Sequence, residues 1–444
     1  MSEFGEGVER RDNVPPGNKV RIKVRMSLFF DGTLNNRRNS RLREQQPQVY
    51  RRTSGGDDSY ENDLSNVARL EEQVDNSAAG YDHYIRVYTE GIGTTDLGRD
   101  SSIGYGLGVG PTGIESKVSK GIYTALDVLG KLPYKPVDTI IDLITIDTCG
   151  FSRGAAAARN CVYRALNDEY GQEGYLTSAS VKSLLEGEGW TVGTVEVLAV
   201  GLFDTVSSHG VVYWNDVFEL HLDAVRQAAA VYQLAAAEEY RENFSLTDIT
   251  SAGSKGRQVY LPGAHSDIGG GYLDHASEDQ TLVRGSRAAD VRQFLLDRGW
   301  YHNGPGGNEL EYDVQVHDDV YSGSVTVDER LTGRRASIAR AYTFIPLGLM
   351  ADFLKEHGVP VKAKLYAFYG PGAVPGRGRI EGDAKAGSPV RPDYWERIDP
   401  VLAQLRHDYL HVSFQAKLGL NVRTENVGSL LKPHYRPVRK VYHG

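Results

Sequence analysis

The sequence predicts an α/β fold built on a mostly parallel, doubly wound sheet. Short apolar runs alternate along the chain with stretches of helical periodicity, as expected for parallel strands joined by crossover helices. The runs at 139–146 and 195–203 are almost continuously apolar, which indicates strands buried on both faces. With 444 residues, of which 40% are hydrophobic, the chain is long enough for one large domain.

Composition suggests where this domain begins and ends. Residues 1–18 are polar and predict a flexible tail, and the domain itself is predicted over 19–420. The remaining residues, 421–444, are predicted to form a C-terminal extension. Two segments, 37–60 and 275–335, are rich in polar residues, Gly and Asp and have few long apolar runs. They predict cap or loop insertions in the domain.

The periodicity of apolar residues places each strand and helix in order. Strands are predicted at 20–30, 84–88, 139–146, 195–203 and 257–261. Helices are predicted at 65–74, 114–130, 155–166, roughly 215–244, 345–355 and 400–409. The alternation of the two types is strongest between 84 and 261, and we expect the sheet to be assembled there.

A candidate nucleophile follows the predicted strand at 139–146, in the sequence GFSRG at 150–154. A bare G-x-S-x-G pattern is a weak signal in a chain with 50 glycines. Here, however, it lies between a buried strand and a helix, as a nucleophile elbow requires. The serine of such an elbow occupies a strained turn, where side chains two residues away would collide with backbone. We therefore predict an α/β-hydrolase-like fold with Ser152 as nucleophile; the alternative is a glycine-rich turn with an ordinary serine.

A hydroxyl nucleophile needs a general base and a carboxylate that orients the base. In this fold the chain order is Ser, then Asp or Glu, then His. Asp204 follows the next buried strand, and His265 follows the strand after that. Both are therefore expected at the carboxyl edge of the sheet, where open α/β sheets bind ligands. The alternatives are that Asp204 caps a loop and that His265 is a structural histidine.

Other residues compete for these two roles. Asp267 is a second candidate for orienting the base, but its position two residues from His265 favours a role in fixing the loop. His411 is a second candidate base, because the catalytic histidine of this fold often lies late in the chain. His407, on a predicted helix, and His209, in a polar turn, have less support from their context.

Backbone N–H groups are predicted to stabilise the oxyanion that forms during ester cleavage. Arg153 follows the nucleophile at a helix N-terminus and would supply one of them. The loop after the first strand would supply another at Gly32 or Thr33, since glycine allows close backbone approach. A substrate site beside the nucleophile is expected to be an apolar groove. The candidates for that groove, which could instead belong to the ordinary core, are Leu34, Phe151, Ile268 and Tyr272.

The sequence predicts no cofactor and no metal. The Gly-rich segment 91–113 lacks the Lys-Ser/Thr pair of a P-loop. Asp31 and Asp267 are an alternative pair of calcium ligands, but two carboxylates are few for that ion. The two cysteines, Cys149 and Cys161, are predicted to be reduced packing residues.

Charge and hydropathy exclude further classes of protein. The net charge of −8 argues against a nucleic-acid partner. No apolar run is long enough to predict a transmembrane segment. The N-terminus lacks the apolar core of a secretory signal, so we expect synthesis in the cytoplasm without a signal peptide.

Four segments together resemble a known family. They are FFDGTLNN at 29–36, GFSRGAAAAR at 150–159, GLFDTV at 201–206 and PGAHSDIGGGY at 262–272. They are similar to segments of the uncharacterised-domain α/β hydrolases that include type VI secretion lipase effectors, and the resemblance covers roughly residues 22–415. The family triad consists of the elbow serine, a strand-end aspartate and the histidine of an HxD motif. The resemblance thus implies the triad Ser152, Asp204 and His265.

The resemblance also implies a function. It implies a phospholipase A that cleaves fatty acyl esters of bacterial glycerophospholipids at a membrane surface. It further implies a secretion spike protein as carrier, a cognate immunity protein, and delivery to the periplasm of the target cell. Since fold and triad do not determine the substrate, two alternatives stay open. These are a general esterase or thioesterase on the same scaffold and a non-enzymatic interaction module.

Overall fold

The protein is described by a computed structural model over residues 19–53, 56–171, 175–207, 216–304, 307–319, 324–429 and 431–444. The predicted tail at 1–18 and His209 lie outside these ranges. The strands are β1 Val20–Phe30, β2 His83–Thr89, β3 Thr139–Phe151, β4 Glu169–Tyr170, β5 Leu176–Ser178, β6 Thr191–Phe203, β7 Ala230–Ala236, β8 Leu246–Thr247, β9 Gly256–Leu261, β10 Ala276–Arg284, β11 Asn303–Gly304, β12 Gly307–Asn308, β13 Leu310–Asp319, β14 Ser324–Ile338, β15 Thr424–Asn426, β16 Tyr435–Pro437 and β17 Val441–Tyr442.

Helices of very different length lie between these strands. The α-helices are α1 Arg37–Gln45, α2 Pro47–Thr53, α3 Asp58–Glu61, α4 Asn66–Glu72, α5 Ser102–Leu107, α6 Ile114–Gly130, α7 Arg153–Leu166, α8 Val181–Gly187, α9 His265–Gly269, α10 Ala288–Asp297, α11 Phe344–Glu356, α12 Lys364–Phe368, α13 Arg377–Lys385 and α14 Pro400–Tyr409. Short 3-10 helices occur at Pro136–Asp138, Leu222–Gln227, Thr250–Lys255, Arg340–Thr343 and Pro392–Trp395. No helix among the described residues is long and apolar enough to cross a membrane.

Six strands form the central sheet, in the order β2-β1-β3-β6-β7-β9. Every neighbouring pair in this sheet is parallel. Apolar side chains leave both faces of a strand such as β1, where Phe29 packs into one core cluster and Leu28 and Phe30 pack into the other. Helices α6 and α7 contribute to the second cluster, and α4 and α11 contribute to the first. The predicted fold class, a doubly wound α/β fold, is confirmed.

One predicted element is wrong. The sequence predicted a long helix at roughly 215–244, but the described part of this segment holds a short 3-10 helix and strand β7. The alanines around β7 favour a helix when the segment is considered alone. In the fold, β7 pairs with β6 on one side and β9 on the other, and Val231 and Leu234 are buried on opposite faces. Tertiary pairing and burial therefore override local propensity.

The segments predicted as insertions and extension have structure of their own. Segment 37–60 contains α1, α2 and α3, and its residues Asn39 and Tyr60 are buried. Segment 275–335 contains α10 and the antiparallel sheet β10-β14-β13. In the predicted extension, β15 pairs with β16, and β17 adds in parallel to β8. The last residues of the chain therefore pack beside the central sheet.

Replacement of Leu234 by alanine tests the position of β7. Leu234→Ala should lower the free energy of unfolding by about 2–5 kcal/mol, because it leaves a cavity in a fully buried strand. Chemical denaturation measures the loss. Leu431→Ala is the matched control at a side chain that is 91% exposed, and its effect should stay below about 0.5 kcal/mol. A similarly small effect for Leu234→Ala would contradict the assignment of a central strand.

Candidate active site

The turn between β3 and α7 has the geometry of a nucleophile elbow. Ser152 has a φ of 59° and a ψ of −128°, a strained conformation for a residue with a side chain. A Cβ atom on Gly150 would lie 2.1 Å from the carbonyl oxygen of Gly154, and one on Gly154 would lie 2.3 Å from that of Asp31. Both contacts are impossible, so these glycines have the steric role that the motif predicts.

The other two predicted triad residues meet at the carboxyl edge of the sheet. Asp204 follows β6 directly, and His265 is the first residue of α9, which follows β9 after a short loop. Nδ1 of His265 lies 2.6 Å from Oδ2 of Asp204, and both side chains are buried. An aspartate in this position fixes the tautomer of the imidazole and stabilises its cation. Asp204 therefore pairs with His265, and Asp267 pairs with a different histidine.

His265 is buried and packs against two aromatic rings. Its ring centroid is 4.6 Å from that of Phe151 and 5.2 Å from that of Phe244. Burial lowers the pKa of His265, and this effect outweighs the opposing effect of Asp204. The imidazole is therefore held neutral near pH 7, which is the form required of a general base.

A second carboxylate binds the backbone of the same histidine. The His265 N–H donates to Oε2 of Glu239 at 3.2 Å, and Arg241 forms a two-nitrogen ion pair with Glu239. Burial alone would raise the pKa of Glu239, but the charge and hydrogen bonds of Arg241 lower it to about 2. The guanidinium of Arg241 in turn stacks on Phe244, 3.3 Å from the ring centroid. Glu239 therefore remains an anion and anchors the start of α9.

His411 forms a separate pair. Its Nδ1 lies 2.8 Å from Oδ1 of Asp267, and its backbone N–H donates to Oδ2 of the same carboxylate. Asp267 also accepts from the N–H of Ala264 at 2.9 Å. Asp267 therefore fixes the loop before α9, as its spacing from His265 suggested. Tyr272 stacks on the ring of His411, with 3.6 Å between centroids.

The remaining candidate histidines do not join the site. Nδ1 of His407 contacts Asp408 at 2.6 Å, and its Nε2 contacts Glu309 at 3.1 Å. His407 is also absent from the residues that line the cavity beside Ser152. His209 lies outside the described residues.

Sequence reasoning missed Arg439. One guanidinium nitrogen of Arg439 donates to both oxygens of Asp204, at 2.9 and 3.0 Å, and the arginine is buried. The ion pair joins residues 235 positions apart, so no local pattern marks it. Glu239 was also missed, although a signal existed. It follows β7, and a correct prediction of that strand would have placed it at the carboxyl edge of the sheet.

A cavity of about 580 Å³ opens at this edge, and both Ser152 and His265 line it. Leu34, Phe151 and Tyr272, three of the groove candidates, also line it. Ile268 is not among the lining residues, and its side chain is fully buried in the core cluster. The further apolar lining residues are Val206, Phe244, Leu418 and Leu420.

The predicted oxyanion donors differ in their hydrogen bonds. The Gly32 N–H donates to Oδ1 of Asp31 at 2.7 Å, so it is engaged within its own loop. Thr33 and Arg153 both line the cavity, and Nε of Arg153 donates to the Thr33 hydroxyl at 2.9 Å. This hydrogen bond ties the loop after β1 to the start of α7, where Arg153 is the first helical residue.

The carboxylates considered as metal ligands are engaged elsewhere. Asp31 accepts from the Tyr88 hydroxyl at 2.5 Å, and Asp267 binds His411. Burial raises the pKa of Asp31. In the part of the chain that the structure describes, no group of three or more His, Cys, Asp or Glu side chains is arranged to hold a metal ion.

Part of the chain matches a known family model. Residues 177–291 match the family model described as "T6SS, Phospholipase effector Tle1-like, catalytic domain". The matched segment contains Asp204 and His265, and Ser152 precedes it. No curated protein sequence matches the chain.

Solved structures similar to this protein include the following two. The structure titled "Structure of the Tle1 effector bound to the VgrG spike from the Type 6 secretion system" has a TM-score of 0.62 and 20% identity, covering 100% of this chain and 99% of the other. An uncharacterized protein from Pseudomonas aeruginosa has a TM-score of 0.41 and 15% identity, with 86% and 52% of the two chains covered. The first likeness shows a shared fold. With the family model, it confirms the resemblance to type VI secretion lipase effectors.

Gly154 offers a steric test of the elbow. Gly154→Ala would place its Cβ 2.3 Å from the Asp31 carbonyl oxygen and force α7 away from β1. We expect a loss of about 1–3 kcal/mol in the free energy of unfolding, measured by denaturation. Gly348→Ala in α11 is the control, since its Cβ has no neighbour within 4 Å, and it should gain up to about 1 kcal/mol. Equal effects of the two substitutions would contradict the close packing of the elbow.

Proposed function

We propose that this protein is a serine carboxylic-ester hydrolase, specifically a phospholipase A that acts on bacterial glycerophospholipids. The observation that carries the proposal is that the strained Ser152 and the His265–Asp204 pair occur at one cavity. The match to a phospholipase effector family and the fold shared with the spike-bound effector support it.

The chemistry follows from the position of each group. Oγ of Ser152 attacks the ester carbonyl while Nε2 of His265 accepts its proton. Asp204, bound to Nδ1, stabilises the imidazolium that forms. The N–H groups of Arg153 and Thr33 are the proposed donors to the oxyanion, with the positive end of α7 adding to their effect. The protonated His265 then gives its proton to the leaving alcohol, and water hydrolyses the acyl-enzyme to a free fatty acid.

The lining of the cavity suits an amphipathic ester. Leu34, Phe244 and Leu420 supply apolar surface for an acyl chain, and Arg241 adds a cation near His265. Leu418 lines the same cavity and is 99% exposed. An exposed apolar side chain at the mouth of a lipase cavity can enter the interfacial region of a bilayer. Because the net charge is −8, we attribute contact with anionic lipid to such apolar residues.

We infer the biological setting of this protein from the effector of similar fold. That protein is bound to a VgrG spike, and we propose that a spike protein carries this chain too. We also propose that the enzyme acts as an antibacterial toxin in the periplasm of the target cell. A cognate immunity protein would then protect the producing cell.

Substitutions at Ser152 and His265 test the catalytic assignment. Ser152→Ala and His265→Ala should each lower ester turnover by about three orders of magnitude or more, because the triad acts as a unit. Ser152→Ala should also abolish covalent labelling by a fluorophosphonate probe. Hydrolysis of p-nitrophenyl butyrate and mass spectrometry of the labelled protein measure both effects.

His411→Ala is the matched control. It removes another buried histidine that is paired with an aspartate, so it should lower stability and leave turnover within about tenfold of wild type. Full activity in His265→Ala, together with an inactive but folded His411→Ala, would reverse the assignment of the base. Labelling of wild type at a residue other than Ser152 would contradict the assignment of the nucleophile.

The substrate requires a test of its own. In mixed micelles of phosphatidylethanolamine or phosphatidylglycerol, the enzyme should release a free fatty acid and a lysophospholipid, because the attacked bond is the acyl ester. Intact vesicles should react more slowly, and salt should change the rate little, since apolar contact rather than charge provides the affinity. Mass spectrometry of the products identifies the bond that is cleaved.

Two variants sharpen this experiment. Leu418→Ser should slow hydrolysis of micellar lipid without changing that of a soluble ester, whereas Leu431→Ser, at another exposed leucine, should change neither. Release of phosphatidic acid or a free head group without fatty acid would contradict phospholipase A activity. Hydrolysis of soluble esters with phospholipid left intact would favour a general esterase. Absence of turnover and labelling would favour a non-enzymatic module.

A further inference from the structure

We propose that Arg439, near the C-terminus, is a positioning residue of the catalytic pair and that the last residues of the chain complete the active site. This inference rests on the proposed serine hydrolase. It adds a residue outside the triad, outside the segment that matches the family model, and outside the cavity lining.

Asp204 is held by contacts from three parts of the chain. Its Oδ2 contacts His265 at the start of α9, and its Oδ1 accepts the N–H of Ala236 at the end of β7. Arg439 bridges both oxygens. Another nitrogen of Arg439 donates to the backbone oxygen of Glu239 at 3.4 Å. The same guanidinium therefore contacts both residues that bind His265.

Backbone hydrogen bonds on both sides of Arg439 determine where it lies. The N–H of Val438 donates to the carbonyl of Arg423 at 3.0 Å, and the carbonyl of Lys440 accepts from Leu246 at 2.9 Å. Beyond them, β17 pairs in parallel with β8, and the carbonyl of Gly444 accepts from the N–H of Ser251. The segment 438–444 is thus a strap that holds Arg439 against the end of β6.

The charges around His265 explain what Arg439 does. Two buried carboxylates, Asp204 and Glu239, contact the histidine, and each is paired with an arginine. Asp204 is paired with the buried Arg439, and Glu239 is paired with Arg241, which is partly buried. An unpaired buried carboxylate next to the imidazole would favour the imidazolium. Arg439 offsets this charge, so that Asp204 can orient a histidine that remains neutral.

Other groups that face the pair do not replace this cation. From β9, Tyr260 lies within electrostatic range of Arg439 and Asp204, and burial raises its pKa to about 12, so it is neutral near pH 7. Asp248, beyond β8, is a further anion near Tyr260. Arg241 also acts electrostatically on His265 and lowers its pKa, but its hydrogen bonds go to Glu239 and not to Asp204 among the described contacts. Among the described contacts of Asp204, Arg439 supplies the permanent positive charge.

The experiment compares the pH dependence of kcat/KM for a soluble ester in wild type, Arg439→Gln and Arg439→Lys. On the acid side of the profile, kcat/KM falls as His265 becomes protonated. In wild type, this acid limb should lie below the ordinary histidine pKa of about 6.5, since burial lowers the pKa of His265. Arg439→Gln removes the cation, so the limb should move about one unit toward higher pH. Its plateau should fall at least about tenfold, because Asp204 loses its bridge. Arg439→Lys should return the limb toward wild type and leave the plateau reduced, because an ammonium has no second nitrogen to contact the Glu239 backbone oxygen while the first binds Asp204.

Arg25→Gln is the matched control. Arg25 forms a buried, two-nitrogen ion pair with Asp147 at 2.8 and 2.9 Å, and neither residue lines the cavity. The substitution should destabilise the protein, measured by thermal unfolding, without moving the acid limb. A shift of the same size in Arg25→Gln would overturn the proposal, because the effect would then be general.

The outcomes separate this inference from the function on which it rests. If Arg439→Gln folds and keeps the acid limb and plateau of wild type, the proposed role of Arg439 is wrong. The assignment of the protein as a hydrolase is then unaffected. If Arg439→Gln does not fold, Arg439→Lys decides, and a wild-type profile in that variant overturns the role. Absence of ester turnover and of Ser152 labelling in wild type instead refutes the hydrolase itself.

Discussion

The buried carboxylate of Asp204 is the group on which the arrangement of the site depends. A carboxylate without solvent costs several kcal/mol unless other groups pair with it. Here the compensation comes from β7, α9 and the C-terminal strap, through Ala236, His265 and Arg439. The ends of three separate stretches of chain must therefore meet at one point. The parallel sheet makes this possible, because it directs the carboxyl ends of β6, β7 and β9 to the same edge.

Two aspartate–histidine pairs lie near this edge, and their surroundings distinguish them. His265 lines the cavity together with Ser152, whereas His411 is bound to Asp267 and stacked against Tyr272. In both pairs, Nδ1 of the histidine contacts an oxygen of the aspartate. The pairs differ in access to the nucleophile and in the buried arginine that binds Asp204. The lowered pKa of His265 then gives it the neutral form that proton transfer from Ser152 requires.

Much of the site could be predicted because its signals are local. The elbow depends on glycines at 150 and 154, Asp204 follows the apolar run at 195–203, and His265 follows the short strand predicted at 257–261. Strand β7 gave no such signal. Its alanines are small enough to suit a helix, and only the neighbouring strands β6 and β9 make it a strand. Because β7 was not predicted, Glu239 could not be placed at the carboxyl edge of the sheet, just beyond the end of that strand.

By itself, the sequence determined the α/β fold class, the strained serine turn and the strand-end positions of Asp204 and His265, since each depends on periodicity or on neighbouring residues. Only the tertiary structure decided which aspartate pairs with which histidine, that Ile268 belongs to the core, and that Arg439 reaches Asp204. These contacts join residues between 61 and 235 positions apart. Side chains so far apart in the sequence share no periodic pattern. They pair because tertiary packing brings buried groups of opposite charge into contact.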